Sequence, residues 1–270
     1  MTAIVTVASC AIDLGDQHDG RDGGGASTNL LPTVWLWPGQ ALYAGPSLNL
    51  EPHSGSVWCF AVGIEGPLAV TMPGGSTREG TSLLIPPRLT HQLTCSGSGL
   101  VSCYLEPTSF RAESCRSRMS QWAGDIGGAH GAEPELTFTP ADDESACHWL
   151  DLAAPAAQRE IDARIAAAAR RIRTDPATAV PSRELAAEAG LSESRFLHLF
   201  RDELGTSLRR YRIWVRLMHA GTAIAGGANL TEAAMKSGFA SPSHLADRFK
   251  STFGLSASRL LQTGLQVRTP

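Results

Sequence analysis

From Leu30 to about Phe138, apolar residues come in short runs broken by glycine and proline. VWLW, ALYAG, SLNLEP, VWCFAVG, LAVTMPGG, TSLLIPP, HQLTC and LVSCYLEP follow at intervals of roughly 8 to 12 residues. Runs of that length and spacing predict half-buried strands in an all-β barrel or sandwich. Beyond residue 140 the period becomes helical. Residues 142–154 (DDESACHWLDLAA) put Ala146, Trp149, Leu150 and Ala153 on one face of a short helix, placed to bridge domains or to pair two subunits. From Arg159 onward, Ile161, Ile165, Ala168 or Ala169 and Ile172 form a stripe that Asp175-Pro176 closes. Ser207 to about Ala225 reads as one long helix carrying Leu208, Tyr211, Trp214, Val215 and Met218, ended by Gly226-Gly227. Residues 15–28 are rich in glycine and charge, too polar to fold alone. The pattern predicts an α+β multidomain chain: a flexible segment over 1–29, an all-β domain over 30–138, a linker with its helix over 139–158, and an all-α domain over 159–270.

The helical region contains the same unit twice. ELAAEAGLSESRFLHLFRDELGTSL runs from Glu184 to Leu208, and EAAMKSGFASPSHLADRFKSTFGLSA from Glu232 to Ala257. Glu184 matches Glu232 and Gly190 matches Gly238 at an offset of 48; Phe200 matches Phe249, Gly205 matches Gly254 and Ser207 matches Ser256 at 49. Each copy is a short helix with small faces, a glycine stop, a serine cap and a second helix. In the first copy Phe196, Leu199 and Phe200 share the buried face, leaving Glu193, Ser194, Arg195, His198 and Arg201 outward of the cap Ser192. In the second, Ser241 is the cap, Pro242 takes the first helical position, and Leu245 and Phe249 are buried. Ser243, His244, Asp247, Arg248 and Lys250 then face out. A tandem helix–turn–helix suits a protein that lays two helices into double-stranded DNA.

Charge separates the same two regions. Residues 1–155 hold 6 basic and 16 acidic side chains, a balance of −10; residues 156–270 hold 17 and 10, a balance of +7. The net −3 thus hides an acidic region joined to a basic region, and nucleic acid is expected on the basic side. No apolar run reaches the roughly 18 residues of a membrane span, and Val7-Ala8-Ser9-Cys10 lacks the basic segment and long apolar stretch of a leader. The expectation is a cytoplasmic protein.

Cys10, Cys59, Cys95, Cys103, Cys115 and Cys147 all fall in the acidic region, without a CxxC pair. They are expected to be free thiols filling small gaps. A thiol or soft-metal sensor built on Cys59, Cys95 and Cys103 is the alternative.

The helical region resembles the DNA-binding domain of AraC/XylS-type bacterial transcription regulators. Ala186-Ala187, Gly190, Ser192, Phe196, Phe200, Gly205, Ala233-Ala234, Gly238-Phe239, Ser241, Leu245, Phe249 and Gly254 carry the resemblance. It implies recognition helices near 192–204 and 241–253 in successive major grooves, about 34 Å apart along the duplex. By position it implies base-facing roles for Ser194, Arg195, Leu197 and His198, then for Pro242, Ser243, His244, Ala246 and Asp247. Asp247 stands where many members carry Arg, and Ala257 where they carry Pro; a carboxylate accepts from cytosine but not from guanine or phosphate oxygens. Backbone contacts through Arg248 and Lys250 are then expected to dominate the second unit.

The β region resembles, more distantly, the cupin-type sensor fused to such domains. Gly80, Pro86 and His91 fit one cupin motif, with Arg88 in place of its glycine and Cys95 in place of an asparagine. The other motif is reduced to His53, so two histidines stand where a metal needs three or four ligands. The expectation is therefore a cupin-like barrel with no metal and no cofactor, whose effector pocket uses Trp35, Trp37, His53, Trp58 and His91. The chain is expected to be a DNA-binding regulator responding to a small effector, and not an enzyme. RNA polymerase is an expected partner of an activator, and a homodimer a further possibility; a cupin enzyme tethered to DNA is the rival from another class.

Overall fold

The computed structural model describes residues 31–48, 50–156, 161–253 and 264–270. The segment read as flexible, 1–29, lies outside the described residues.

Eleven strands are described: β1 (Thr33–Trp37), β2 (Gln40–Gly45), β3 (Trp58–Ile64), β4 (Leu68–Thr71), β5 (Thr77–Gly80), β6 (Ser82–Ile85), β7 (Gln92–Cys95), β8 (Gly99–Leu105), β9 (Met119–Ala123), β10 (Ile126–His130) and β11 (Gln266–Arg268). They form an eight-stranded sheet ordered β11-β1-β2-β8-β3-β6-β10-β9 and a three-stranded sheet ordered β5-β4-β7. The small sheet covers one face of the large one, where Leu68 and Val70 meet Ala61, Leu83 and Ile85. The opposite face, with Trp35, Trp37, Leu42, Phe60, Val62 and Leu84, is covered by helices α1 (Phe110–Ser117) and α2 (Asp143–Ala153). A sheet buried on both faces needs apolar side chains at every position, which is why VWLW and WCFAVGI show no alternation.

Three pieces of this half depart from the sequence pattern. SLNLEP holds no described strand; Pro46 precedes it, Pro52 ends it and neither can donate to a ladder, while Leu48 and Leu50 pack against the core. Strands β5, β9 and β10 are polar or glycine-rich and are not readable as apolar runs. Gly124-Asp125 does connect Ala123 to Ile126 as a two-residue hairpin loop, a turn signal that the sequence carries. The stripe of α2 is as expected, but Ala146, Trp149, Leu150 and Ala153 are buried against the chain's own sheet, so this face is not free to pair subunits. Cys147 on the same helix is disulfide-bonded, against the expectation of free thiols, while Cys59, Cys95, Cys103 and Cys115 are free.

The second half contains α3 (Ala163–Thr174), α4 (Ser182–Glu188), α5 (Glu193–Leu204), α6 (Leu208–Ala225), α7 (Leu230–Lys236) and α8 (Pro242–Phe253). Its two units are cored differently. Helices α3 to α5 and the start of α6 close their own cluster around Ile165, Ile172, Leu185, Phe196, Phe200 and Tyr211. Trp214, Leu217, Phe239, Leu245 and Phe253 instead join the core of the β half. Strand β11, which follows α8 in the chain, leaves the helical region and pairs in parallel with β1, Val34 opposite Val267. Helix α6 approaches this edge closely: a Cβ on Gly221 would lie 2.8 Å from Leu36 Cδ1 and 3.0 Å from Val267 Cγ1.

Candidate nucleic-acid interface

The first unit is built from α4, a turn and α5. Gly190 at φ +64° reverses the chain where a side chain would be strained. Ser192 caps α5, its Oγ accepting from the Arg195 N–H at 3.4 Å. Phe196 and Phe200 are fully buried, with ring centroids 5.8 Å apart, and Phe200 meets Tyr211 edge-on at 5.4 Å. Ser192, Ser194, Arg195, His198 and Arg201 are exposed together on the opposite face, and Leu197 among them is 38% exposed. Arg171 pairs with Glu184 at 2.6 Å and also bonds Glu188, tying α3 to α4 behind the outward face of α5.

The second unit repeats the construction with α7, Gly238 at φ +76° and α8. Ser241 Oγ accepts from the His244 N–H at 3.0 Å. Ser243, Asp247 and Lys250 are exposed, whereas Ser241, His244 and Arg248 are half-buried. His244 and Arg248 are turned toward each other: Arg248 Nε donates to His244 Nε2 at 3.2 Å, and Phe239 packs edge-on against the imidazole at 5.5 Å. The first unit thus offers free side chains, while two of the second unit's candidates hold each other. The matching Gly254 and Ala257 lie outside the described residues.

Residues 185–263 match a family model described as a helix-turn-helix domain. These residues form an AraC/XylS-type DNA-binding domain. Among solved structures, ToxT from Vibrio cholerae is similar at 14% identity, covering 83% of this chain and 97% of that one, with a TM-score of 0.43. The C-terminal domain of AraT from Geobacillus stearothermophilus is similar at 17% identity, covering 39% and 88%, with a TM-score of 0.36. The DNA-binding domain of AdpA in complex with a target DNA is similar at 24% identity, covering 38% and 96%, with a TM-score of 0.35. The comparison with curated proteins gave no match. No described helix is long and apolar enough to cross a membrane.

The AraC/XylS-type domain is joined to the β half by polar contacts that no local pattern announces. Glu106, 3% exposed, accepts from Arg210 at 2.8 Å and from the Trp214 indole at 2.9 Å. Thr108 donates to the carbonyl of Gly205, the left-handed C-cap of α5, where a Cβ would lie 2.8 Å from Ser109 Cα. These partners are about a hundred residues apart in sequence.

The candidate effector residues divide between the faces of the large sheet. His53 and His91 come together in an isolated bridge, ring centroids 4.8 Å apart, with Nδ1 atoms 2.9 Å from the carbonyls of Glu51 and Leu89. Burial lowers the His91 pKa, and His53 beside it adds to the shift. Trp35 and Trp37 lie on the other face under α2; Trp35 donates to Asp143 at 2.9 Å, and Arg116 stacks over Trp58 at 5.0 Å. Alternation along β1 sends these side chains away from the histidines. Among the described residues no three His, Cys, Asp or Glu converge as a metal site. Burial pushes the thiols of Cys59 and Cys115 up to about 12, and that of Cys103 well above its ordinary value. Cys95 is half-buried and donates to the Gly99 carbonyl at 3.0 Å.

A cavity of about 410 Å³ lies instead at the junction of the halves, between Trp37 and Gln40 on one side and Ala169, Arg173 and Tyr211 on the other. Its polar residues are ones that sequence reasoning missed, because they belong to a site only through packing across the junction.

Proposed function

We propose that the chain is a sequence-specific transcription regulator in which α5 and α8 read two adjacent major grooves. The duplicated, serine-capped helix with its polar face free of the core carries this reading. A helix N-terminus and its exposed arginines suit phosphates and base edges. Helix α6, 18 residues and thus roughly 27 Å long, spaces the two units. Arg195, with Ser194 and His198 beside it, is assigned to base contact. Lys250 and Arg248 are assigned to the phosphate backbone.

The β half, in this reading, responds to a small effector and biases the orientation of the two units. A ligand can do so only through different affinities for the two arrangements. The elevated thiol pKa values favour this over a sensor built on Cys59 and Cys103, since the thiolate is the reactive form. RNA polymerase remains a partner of an activator; the burial of the α2 face removes the surface expected to pair two subunits.

Selection from a random DNA pool with the purified full chain tests the reading. The expected product is an enriched pair of half-sites with centres one helical turn apart, about 10 base pairs. Salt-dependent binding without any enriched sequence would reduce the chain to a non-specific DNA binder.

A further inference from the structure

We propose that Arg212, Arg216 and His219 are positioning residues that set the spacing between the two DNA half-sites. They hold the connector between α3 and α4 as a strut between the two helix–turn–helix units. The three side chains stand at i, i+4 and i+7 along α6, so they share one face of that helix. Arg212 Nη2 donates to the Val180 carbonyl, Arg216 Nε to the Pro176 carbonyl at 3.0 Å, and His219 Nε2 to the Arg173 carbonyl at 2.9 Å. Their effect on half-site spacing rests on the regulator reading above.

The connector reaches from one unit to the other. Ile172 near the end of α3 and Val180 before α4 belong to the core of the first unit. Between them, a Cβ on Gly238 would lie 2.7 Å from Ala177 Cα and 3.0 Å from the Pro176 carbonyl oxygen. Gly238 forms the turn of the second unit; a Cβ on Gly190, its counterpart in the first, would meet nothing within 4 Å. The second turn therefore abuts the connector where the first is open. Asp175 keeps the connector in shape, its carboxylate accepting from the Thr178 N–H at 3.1 Å, and Pro176 beside Gly238 is buried. No carboxylate among the described residues pairs with Arg212 or Arg216, so the backbone of the connector is what they hold.

The two units meet α6 at glycine-containing joints, Gly205-Thr206 before it and Gly226-Gly227 after it, where the backbone is least restrained. A helix alone therefore fixes the distance between the units and not their rotation about it. Rotation matters because one base pair more or less between half-sites turns the second site by about 35° around the duplex. Packing on the β half holds the second unit from one side. The strut holds it from the side of the first unit, since three bonds along two turns of α6 seat the connector against the Gly238 turn.

Binding of the full-length protein to a selected site, remade with one base pair added or removed between its half-sites, tests the strut. The parent is expected to lose at least about tenfold in affinity at either altered spacing. The double variant Arg212→Gln, Arg216→Gln should lose no more than about threefold, on unchanged half-site sequences. Removing two cations weakens binding at every spacing alike, so the ratio between spacings separates position from charge. His219→Gln, whose amide can still donate to the Arg173 carbonyl, should keep the parent's ratio, and His219→Leu should lower it. Hydrogen exchange without DNA reads the strut itself: residues 174–181 and 236–240 should exchange at least about tenfold faster in the double variant, with α5 unchanged. If that variant does not fold, His219→Leu serves for both measurements. A folded variant with the parent's spacing ratio, equal exchange at 236–240, or a parent indifferent to spacing each overturns the proposal. A parent that selects no DNA site removes the regulator reading and the spacing role with it. One that selects a site whose spacing preference the variants leave unchanged removes only the role.

Discussion

Trp214, on the helix between the two helix–turn–helix units, donates its indole N–H to the carboxylate of Glu106 in the β half over 2.9 Å. Arg210, one turn earlier on the same helix, shares that carboxylate at 2.8 Å. A single buried acid thereby fixes the long helix to the β half. Glu106→Ala leaves the indole without its acceptor, and is expected to lower the unfolding free energy by roughly 1–3 kcal/mol. Urea unfolding measures this. A variant within about 0.5 kcal/mol of the parent, on the scale of an ordinary surface change, would show that the junction does not depend on the bond.

Arg195→Ala is expected to weaken binding to a selected site by about 1–3 kcal/mol and to relax the preference at one base pair. Lys250→Ala should weaken binding to all sequences alike and reduce the salt slope by about one. Fluorescence anisotropy at several salt concentrations separates the two. An unchanged sequence preference in the Arg195 variant would remove that side chain from base reading.

Among the four free thiols, Cys95 should alkylate first in the native protein. Cys59 and Cys115 titrate at about 12 and are buried, so they should react only after unfolding. Timed iodoacetamide labelling with peptide mass spectrometry reads the order. Fast labelling of Cys59 would restore the thiol-sensor alternative.

Burial lowers the pKa of both His91 and His130 in the folded chain. Their unfolded value is about 6.5, so the unfolded state takes up protons first as pH falls. The stability they contribute is full above about pH 6.5 and is lost as pH drops through the folded values. Melting temperature should therefore decline from about pH 7 to about pH 5, and less steeply in His91→Gln. An equal decline in that variant would place the pH dependence elsewhere.

Gly205→Ala should be costly twice over: roughly 1–2 kcal/mol for a left-handed alanine, and more for a Cβ 2.8 Å from Ser109 Cα. Gly190→Ala, with nothing within 4 Å, should incur only the first penalty. Comparing the two by thermal unfolding isolates the contribution of the junction; equal losses would mean that the contact yields freely.

The recognition units are legible in the sequence because their determinants are local. A glycine stop, a serine cap and phenylalanines one turn apart act within a dozen residues, so Gly190, Ser192, Phe196 and Phe200 announce the same unit that Gly238, Ser241 and Leu245 repeat. The apolar runs of β1, β3 and β8 are legible as strands for the same reason. They are not legible as to face. The sequence reading groups Trp35 and His91 in one pocket, yet strand alternation and the two-sided burial of the sheet put them apart.

The sequence by itself thus determined the apolar strands β1, β3 and β8, the helices of the second half, and where the two helix–turn–helix units lie. Only the tertiary structure decided that the second unit shares its core with the β half, that Gln266–Arg268 completes the large sheet, and that Trp37, Arg173, Thr206 and Tyr211 surround one cavity. Periodicity and capping are set by neighbours in the chain and repeat visibly along it. Contacts between residues a hundred positions apart depend on how finished elements pack, and leave no period to read.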